Sequence, residues 1–328
     1  MRWLRGWFLL LIVVAACVVT RLLVSRSLQG TVSFGWDSEA ATWRLGAITS
    51  ASCAGAALAL SGLLLQSMLR NPLASPFVLG LSGGAQAAMA IGALIAWKTG
   101  QSLAPGWEVL IGTLGSVAAL LLCIAFGRGR DRGLDPISLV LAGVVVAAML
   151  GGVASLCEWL LPPGERATVA AWGFGRVPEA PSPVVLRVLM IALGLMGCLG
   201  LWAGPMLDAM QLGDDEARSV GVPLGAARWA IVLGASLLAA AATALCGPLA
   251  FVGLVAPHVA RSLLGGAHRR TVPGALLAGA ALLVLADAVR ALVPVEGGRL
   301  PVGVVCALAG GPAFLVLLRR GAVSAWRA

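Results

Sequence analysis

The chain has 328 residues, 59% of them hydrophobic and only 11% charged, and its mean hydropathy is +0.96. A water-soluble domain carries roughly 25% charged residues, so this composition excludes a soluble globular protein. The net charge of +9 could indicate a nucleic-acid partner, but the positive residues are scattered between apolar blocks. Such charges are typical of the loops that set membrane topology.

The apolar blocks predict membrane-spanning helices. Each block is continuously apolar, whereas the strands of a membrane barrel alternate apolar and polar residues, and a spanning helix needs about 20 apolar residues. We therefore predict an all-α, polytopic membrane protein of about ten transmembrane helices, with residues 1–328 forming a single transmembrane domain. The predicted spans are Phe8–Val24, Ala47–Leu69, Phe77–Trp97, Val109–Phe126, Ile137–Leu161, Leu186–Ala203, Trp229–Cys246, Phe251–Leu264, Gly274–Leu292 and Val302–Leu318.

Three compositional features refine this picture. The first span resembles a secretory signal peptide, but no clear cleavage site follows it, so an uncleaved span is favoured. The 43 glycines predict close helix–helix packing, because small residues let backbones approach in lipid. The seven cysteines lie mostly inside spans and form no CxxC pair, so buried free thiols are expected rather than disulfides or a zinc site.

Lysine and arginine set the predicted orientation. With the N-terminus inside and ten crossings, the inner loops carry 14 of the 23 Lys and Arg residues and the outer loops carry the other nine. The strongest inner groups, at residues 128–132 and 319–320, flank spans directly, where the positive-inside rule carries most weight. Both termini are therefore predicted to face the cytoplasm.

The segment Gln66–Gly84 is interrupted by helix-breaking residues. The run Arg70–Pro72 ends a helix, because proline removes a backbone donor and disfavours the helical conformation in the residue before it. Pro76 repeats the break, and the three glycines that follow permit an irregular chain path. Two interpretations stay open: a re-entrant element near a translocation path, or an ordinary inner loop followed by a glycine-rich helix.

The segment Leu212–Pro223 is the one conspicuous acidic stretch between spans. Asp214, Asp215 and Glu216 would complement the dipole at the start of a helix, and Gly221 fits its C-terminal cap. A short charged helix in an inner loop is a natural docking element for a cytosolic motor, although a solvated charged loop is the alternative. The sequence has no GxxxxGK[ST] phosphate-binding loop, so ATP hydrolysis is not expected in this chain.

Two further segments hold polar residues in apolar surroundings. His258 and Arg261 lie three residues apart on one helix face, and His268 follows a Gly–Gly break, so no metal-ligand geometry results and structural hydrogen bonding is expected. Asp287 lies inside a predicted span, where an acid is costly and indicates function by default. An ion pair with Arg290, three residues on, is the favoured interpretation, and a proton or cation site is the alternative.

Jointly, these segments resemble the FecCD-type permeases, the transmembrane subunits of ABC importers for iron–siderophores, haem and cobalamin. The resemblance covers almost the whole chain in that family's order and spacing. The matching residues are Leu65–Gln66, Arg70–Ala74, Leu79–Gly80, Gly83–Ala85, Leu212–Gly221, Gly247–Pro248, Phe251–Leu254, Pro257–Arg261, Ala286–Asp287, Leu300–Gly303 and Gly310–Pro312.

The resemblance implies the vitamin B12/iron-chelate importer permease fold in the inner membrane, with no catalytic residue and no cofactor in this chain. It implies a second permease subunit, with a homodimer expected and a paralogue the alternative. It also implies two cytosolic ATPase subunits, which bind ATP and Mg, and an extracytoplasmic substrate-binding protein. The ligand itself stays open among iron chelates, haem and cobalamin.

The resemblance also implies roles for particular residues. The residues implied for ATPase coupling are Asp214, Asp215, Glu216, Ala217, Arg218 and Gly221. Those implied to line the translocation path and its gate are Asp135, Ser138, Leu139, Arg70, Asn71 and Pro72. Those implied to dock the binding protein are Arg44, Arg290 and Arg299. A structural family motif comprises Gly253, Pro257, His258, Arg261, Asp287, Pro301 and Gly303.

The sequence departs from the family pattern at two of these places. Arg44 is followed by Leu45, not by a second Arg and a Pro, and the gate region reads Asp135–Ser138 where small hydroxyl residues are usual. Two rival functions also remain: a secondary transporter that uses Asp287 as its ion or proton site, and a membrane scaffold that transports nothing.

Overall fold

The computed structural model describes residues 2–26, 32–36, 38–103, 106–128, 134–293 and 300–319. Within these ranges the chain is almost entirely helical. The helices are α1 (Arg2–Leu23), α2 (Ser38–Leu69), α3 (Leu81–Lys98), α4 (Trp107–Phe126), α5 (Pro136–Leu160), α6 (Pro163–Gly173), α7 (Pro183–Trp202), α8 (Gly204–Leu212), α9 (Asp214–Ser219), α10 (Leu224–Cys246), α11 (Val252–Leu264), α12 (His268–Leu292) and α13 (Val302–Arg319). A 3-10 turn covers Pro76–Leu79, and a small antiparallel hairpin pairs β1 (Val24–Arg26) with β2 (Val32–Phe34).

The predicted all-helical membrane fold is confirmed. Each of the ten predicted spans corresponds to one helix, and seven of these helices are long and apolar enough to cross a membrane. The sequence analysis predicted neither the hairpin nor helices α6 and α8. Proline at the start of α6 and Glu165 in its first turn suit a helix N-terminus, which accounts for the difference.

Successive spans run in opposite directions, so the bundle has two ends. Helix α12 has 25 residues, about 37 Å at 1.5 Å per residue, with His268 first and Asp287 in its last third. We call the end that holds Asp287 and the β-hairpin the hairpin end, and the end that holds His268 and α9 the α9 end.

Helices α2, α10 and α12 form the centre of the bundle. In the most apolar stretch of each, 83%, 78% and 61% of the residues are buried, against 22% in both α1 and α5. Small residues allow the close packing that the glycine content predicts: a Cβ on Gly55 of α2 would overlap the carbonyl oxygen of Gly279 on α12. The outer helices expose large apolar side chains, which suits a surface in contact with lipid.

One interruption of helical geometry lies between α10 and α11. Helix α11 has 13 residues and spans about 20 Å, less than the roughly 30 Å of hydrocarbon. The non-helical run Gly247–Phe251 precedes it, with positive φ at both ends (73° and 66°). Leu249 within this run is fully buried, as irregular backbone at membrane depth requires.

The second interruption is the segment between α2 and α3. Pro76 and Leu79 of its 3-10 turn are buried, and a Cβ on Gly143 of α5 would overlap the Val78 carbonyl oxygen. The two interruptions meet, because a Cβ on Gly253 of α11 would lie 3.2 Å from Pro76 Cδ. The segment therefore enters the bundle instead of forming an ordinary surface loop.

Candidate functional site

Helix α9 has the short charged form that the sequence predicts. Its first turn contains Asp214, Asp215 and Glu216. At its end Gly221 has a φ of 83° and donates its N–H to the Arg218 carbonyl, while the N–H of the next residue bonds Ala217. This pair of bonds is a Schellman cap, which favours glycine because its left-handed backbone carries no Cβ penalty.

Asp214 joins α9 to two other elements. Its carboxylate lies 2.5 Å from Arg228 Nη2 on α10 and 3.3 Å from Arg70 Nη2 in the turn after α2. Arg228 also donates to the Leu134 carbonyl at 3.4 Å, just before α5. The structure thus brings the predicted coupling residue Asp214 next to the predicted path residue Arg70, and adds Arg228, which the sequence reasoning did not select.

The start of α5, assigned to the gate by resemblance, is a capped helix N-terminus. Asp135 accepts a hydrogen bond from the Ser138 backbone N–H at 2.7 Å, as an N-cap residue does. That bond, the Ser138 hydroxyl and the charge of Arg228 lower the pKa of the Asp135 carboxyl, although burial opposes them. Leu139 is fully buried, and its carbonyl accepts from the Cys123 thiol of α4.

The turn after α2 is held by its own backbone. Arg70 has a left-handed φ of 48°, and Asn71 Oδ1 accepts from the Leu73 N–H at 2.9 Å. Pro72 follows within this Asx-type turn, which suits a residue that lacks a backbone donor. Arg70 thereby projects toward Asp214, while the chain turns back into the bundle.

The predicted structural motif of α11 packs inside the bundle. Arg261 donates to Gln66 Oε1 of α2 at 2.6 Å, and Pro257 lies within the helix. His258 is buried and meets the Phe314 ring of α13 edge-on at 6.0 Å. Among the described residues no three His, Cys, Asp or Glu side chains are placed to hold a metal ion.

His268 makes the structural hydrogen bonds that the sequence predicts, and its partners form a buried network. Its Nδ1 lies 2.6 Å from Asp208 Oδ1 on α8, and its Nε2 lies 2.6 Å from Ser67 Oγ on α2. Burial acts to raise the pKa of the Asp208 carboxyl, but the hydrogen bonds from the His268 ring and backbone outweigh burial and lower it. No sequence signal pairs these residues, which lie 60 and 201 positions from His268.

At the hairpin end, Asp287 is fully buried between two arginines. The expected ion pair with Arg290 on the same helix is present, with Nε 2.5 Å from Oδ1. Arg21 of α1 pairs with the other carboxylate oxygen and lies 3.6 Å from Glu179. Since two guanidinium groups already neutralise this carboxylate, the geometry disfavours its use as a proton or cation site.

A docking surface needs exposed side chains, but two of the arginines assigned to binding-protein docking are buried. Arg44 is only 5% exposed and donates to the Leu22 and Gly35 carbonyls. Arg290 is 7% exposed and bound to Asp287. Both side chains therefore make internal contacts, and Arg299 lies outside the described residues. Their docking role stays a prediction.

The last span begins as predicted. Pro301 immediately precedes α13, and its carbonyl accepts the Val304 N–H at 3.2 Å. A Cβ on Gly303 would overlap the Phe174 carbonyl oxygen, so glycine is needed for this approach. The start of α13 thus packs on the segment after α6, at the hairpin end.

Comparison with known proteins identifies the family. The description "FecCD transport family" matches residues 6–320, which is nearly the whole chain. This chain belongs to the FecCD transport family. The family is one of ABC permease subunits, which are not themselves catalytic.

Several curated permeases resemble this family member along most of their length. The ferric enterobactin transport system permease protein FepD of Escherichia coli K12 is 34% identical, with 95% of this chain and 94% of FepD covered. The hemin transport system permease protein HmuU of Yersinia pestis is 32% identical over the same shares. The vitamin B12 import system permease protein BtuC of Salmonella typhi is 33% identical, covering 82% and 79%.

A solved structure supports the same fold. An inward-facing metal-chelate type ABC transporter matches 97% of this chain and 99% of its own, with a TM-score of 0.80 and 25% identity. PsaBC from Streptococcus pneumoniae matches with a TM-score of 0.53 at 12% identity, which is a likeness of fold alone.

Proposed function

We propose that this FecCD-family protein is the membrane permease subunit of an ATP-driven importer for an iron chelate, haem or cobalamin. The observation that carries the proposal is a family match over residues 6–320, together with relatives whose names cover ferric enterobactin, hemin and vitamin B12. The choice among these ligands belongs to the binding protein.

Helix α9 is the proposed contact for the ATPase. It displays a charged surface, with the Asp215 side chain 96% exposed and Arg218 66% exposed, while Ala217 on its other face is buried. In this proposal the α9 end and both termini face the cytoplasm, and ATP and Mg bind to two separate ATPase subunits. Movement of α9 reaches the spans through Asp214 and its contacts with Arg70 and Arg228.

A second permease subunit completes the proposed path. Helix α5 leaves much of its surface uncovered within one chain, with Leu141 63% and Met149 66% exposed. We propose that a second copy of this chain packs against α5, so that the path runs between the two subunits in the inner membrane. A binding protein then delivers the ligand at the hairpin end, and the proposed docking arginines are Arg44, Arg290 and Arg299.

The proposal is tested by reconstitution. The permease is placed in liposomes with and without its cognate ATPase, the binding protein is supplied outside, and uptake of labelled iron chelate, haem or cobalamin is measured. ATP-dependent uptake of one of these ligands supports the proposal. Uptake that persists without any ATPase and is abolished by an uncoupler would instead establish the secondary transporter.

A further inference from the structure

A fully buried imidazole joins three helices at the α9 end. The His268 side chain has no solvent exposure, while 41% of the Asp208 side chain is exposed. Asp208 Oδ1 also accepts the backbone N–H of His268 at 3.0 Å. Through Ser67 the same ring contacts the last turn of α2. One side chain therefore links α8, α12 and α2.

The hydrogen bonds around His268 fix one of its protons. The Nδ1 nitrogen carries a proton, because the Asp208 carboxylate only accepts. Its Nε2 lies 2.6 Å from Ser67 Oγ, which also contacts the Leu63 carbonyl at 2.8 Å and Gln211 Nε2 at 3.4 Å. Each of the two ring nitrogens therefore bonds a side chain of another helix.

The network sits directly before the proposed coupling helix. Asp208 and Gln211 lie on α8, which ends at Leu212, and α9 begins two residues later. A groove of about 820 Å³ beside them is lined by residues of α8, by Gly221 after α9, and by Ala267 before α12. A displacement of α9 therefore reaches α8 first, and Asp208 is the point where α8 holds the start of α12.

We propose that His268, held between Asp208 and Ser67, is the joint that transmits movement of α8 and α9 to α2 and α12. The inference rests on the proposed function, and it makes His268, Asp208 and Ser67 positioning residues. None of them needs to contact the ligand.

The first test needs no ATPase. The full chain is labelled with ¹⁵N-histidine in lipid, and its two histidines are distinguished by the signal that His268→Gln removes. The His268 ring should carry a proton on Nδ1, bonded to the Asp208 carboxylate, and Asp208→Asn should change the signal of that nitrogen. A His268 ring without a proton on Nδ1 in the unmodified protein would overturn the inference, whatever the outcome of transport measurements.

The second test measures uptake and ATP hydrolysis together in the reconstituted importer. His268→Gln and Asp208→Asn should retain hydrolysis but lower uptake per ATP about tenfold, within the usual range of coupling between sites. Ser67→Thr keeps the hydroxyl and should retain coupling, whereas Ser67→Ala should lose it. Ser262→Ala is the matched control, since that hydroxyl bonds only the His258 carbonyl of its own helix at 2.9 Å.

Two outcomes of the second test would contradict the proposal that His268 transmits movement between these helices. One is unchanged uptake per ATP in His268→Gln and Asp208→Asn, and the other is a parallel loss of uptake and hydrolysis that Ser67→Thr shares with Ser67→Ala. An importer without ATP-driven uptake in its unmodified form would instead overturn the proposed function, while the hydrogen bond at His268 Nδ1 would still be measured.

Discussion

Each end of the bundle holds an aspartate between two arginines, and the two sites differ mainly in burial. At the hairpin end Asp287 is completely buried, with Arg21 and Arg290 less than 10% exposed. At the α9 end the Asp214 side chain is 33% exposed, and Arg70 is 42% exposed. The same chemical groups therefore lie in a buried site at the hairpin end and in a partly solvent-exposed site at the α9 end.

This difference assigns the two sites to different tasks. Removing one partner of a buried ion pair costs about 3–5 kcal/mol, because the other charge stays buried and unpaired. An exposed pair contributes about 0–1 kcal/mol, so its partners can separate and re-form at little cost. The hairpin-end cluster is suited to fixing α1 against α12, and the α9-end cluster is suited to elements that move.

The largest effect is expected at the buried site. Asp287→Asn should destabilise the protein by about 3–5 kcal/mol, because Arg21 and Arg290 would share a buried site without their carboxylate. Thermal unfolding of the purified protein in detergent measures the change. Asp215→Asn is the control, since its carboxylate is 96% exposed and should alter stability by less than about 0.5 kcal/mol. A fully stable Asp287→Asn protein that has lost uptake would favour the ion-site function instead.

A smaller structural effect is expected at the exposed site. Asp214→Asn should cost about 1 kcal/mol of stability, yet it should lower ATP-dependent uptake several-fold, because α9 loses its contacts with Arg70 and Arg228. Uptake in liposomes and thermal unfolding are measured on the same preparation. If Asp214→Asn lost as much stability as Asp287→Asn, the two ends of the bundle would not differ in the way proposed, with one fixed site and one mobile site.

The smallest effect is an acid sensitivity confined to the α9 end. The pKa of the Asp135 and Asp208 carboxyls is lowered in the folded protein, so their stabilising contribution is complete above the unfolded pKa of about 4 and is lost as pH falls through the lower folded value. Unfolding temperatures should decline below about pH 4, and Asp135→Asn should weaken that decline. An Asp135→Asn protein that keeps the full decline would contradict this assignment.

Features with a local signal could be predicted from the sequence. The spans follow from continuous apolar runs, α9 from its acidic start and Gly221, and the Asp287–Arg290 pair from their spacing on one helix. Contacts between distant segments could not be predicted. Arg21 lies 266 residues from Asp287, and only the packing of α1 alongside α12 brings the two together.

The most direct test of the account is the side of the membrane on which α9 lies. A single cysteine is introduced as Asp215→Cys in a chain whose exposed Cys198 is replaced by Ser, and a membrane-impermeant thiol reagent is added to right-side-out and inverted vesicles. We expect labelling only in inverted vesicles, and protection when the cognate ATPase is bound. Labelling only from outside the cell would contradict the orientation and, with it, the coupling role of α9.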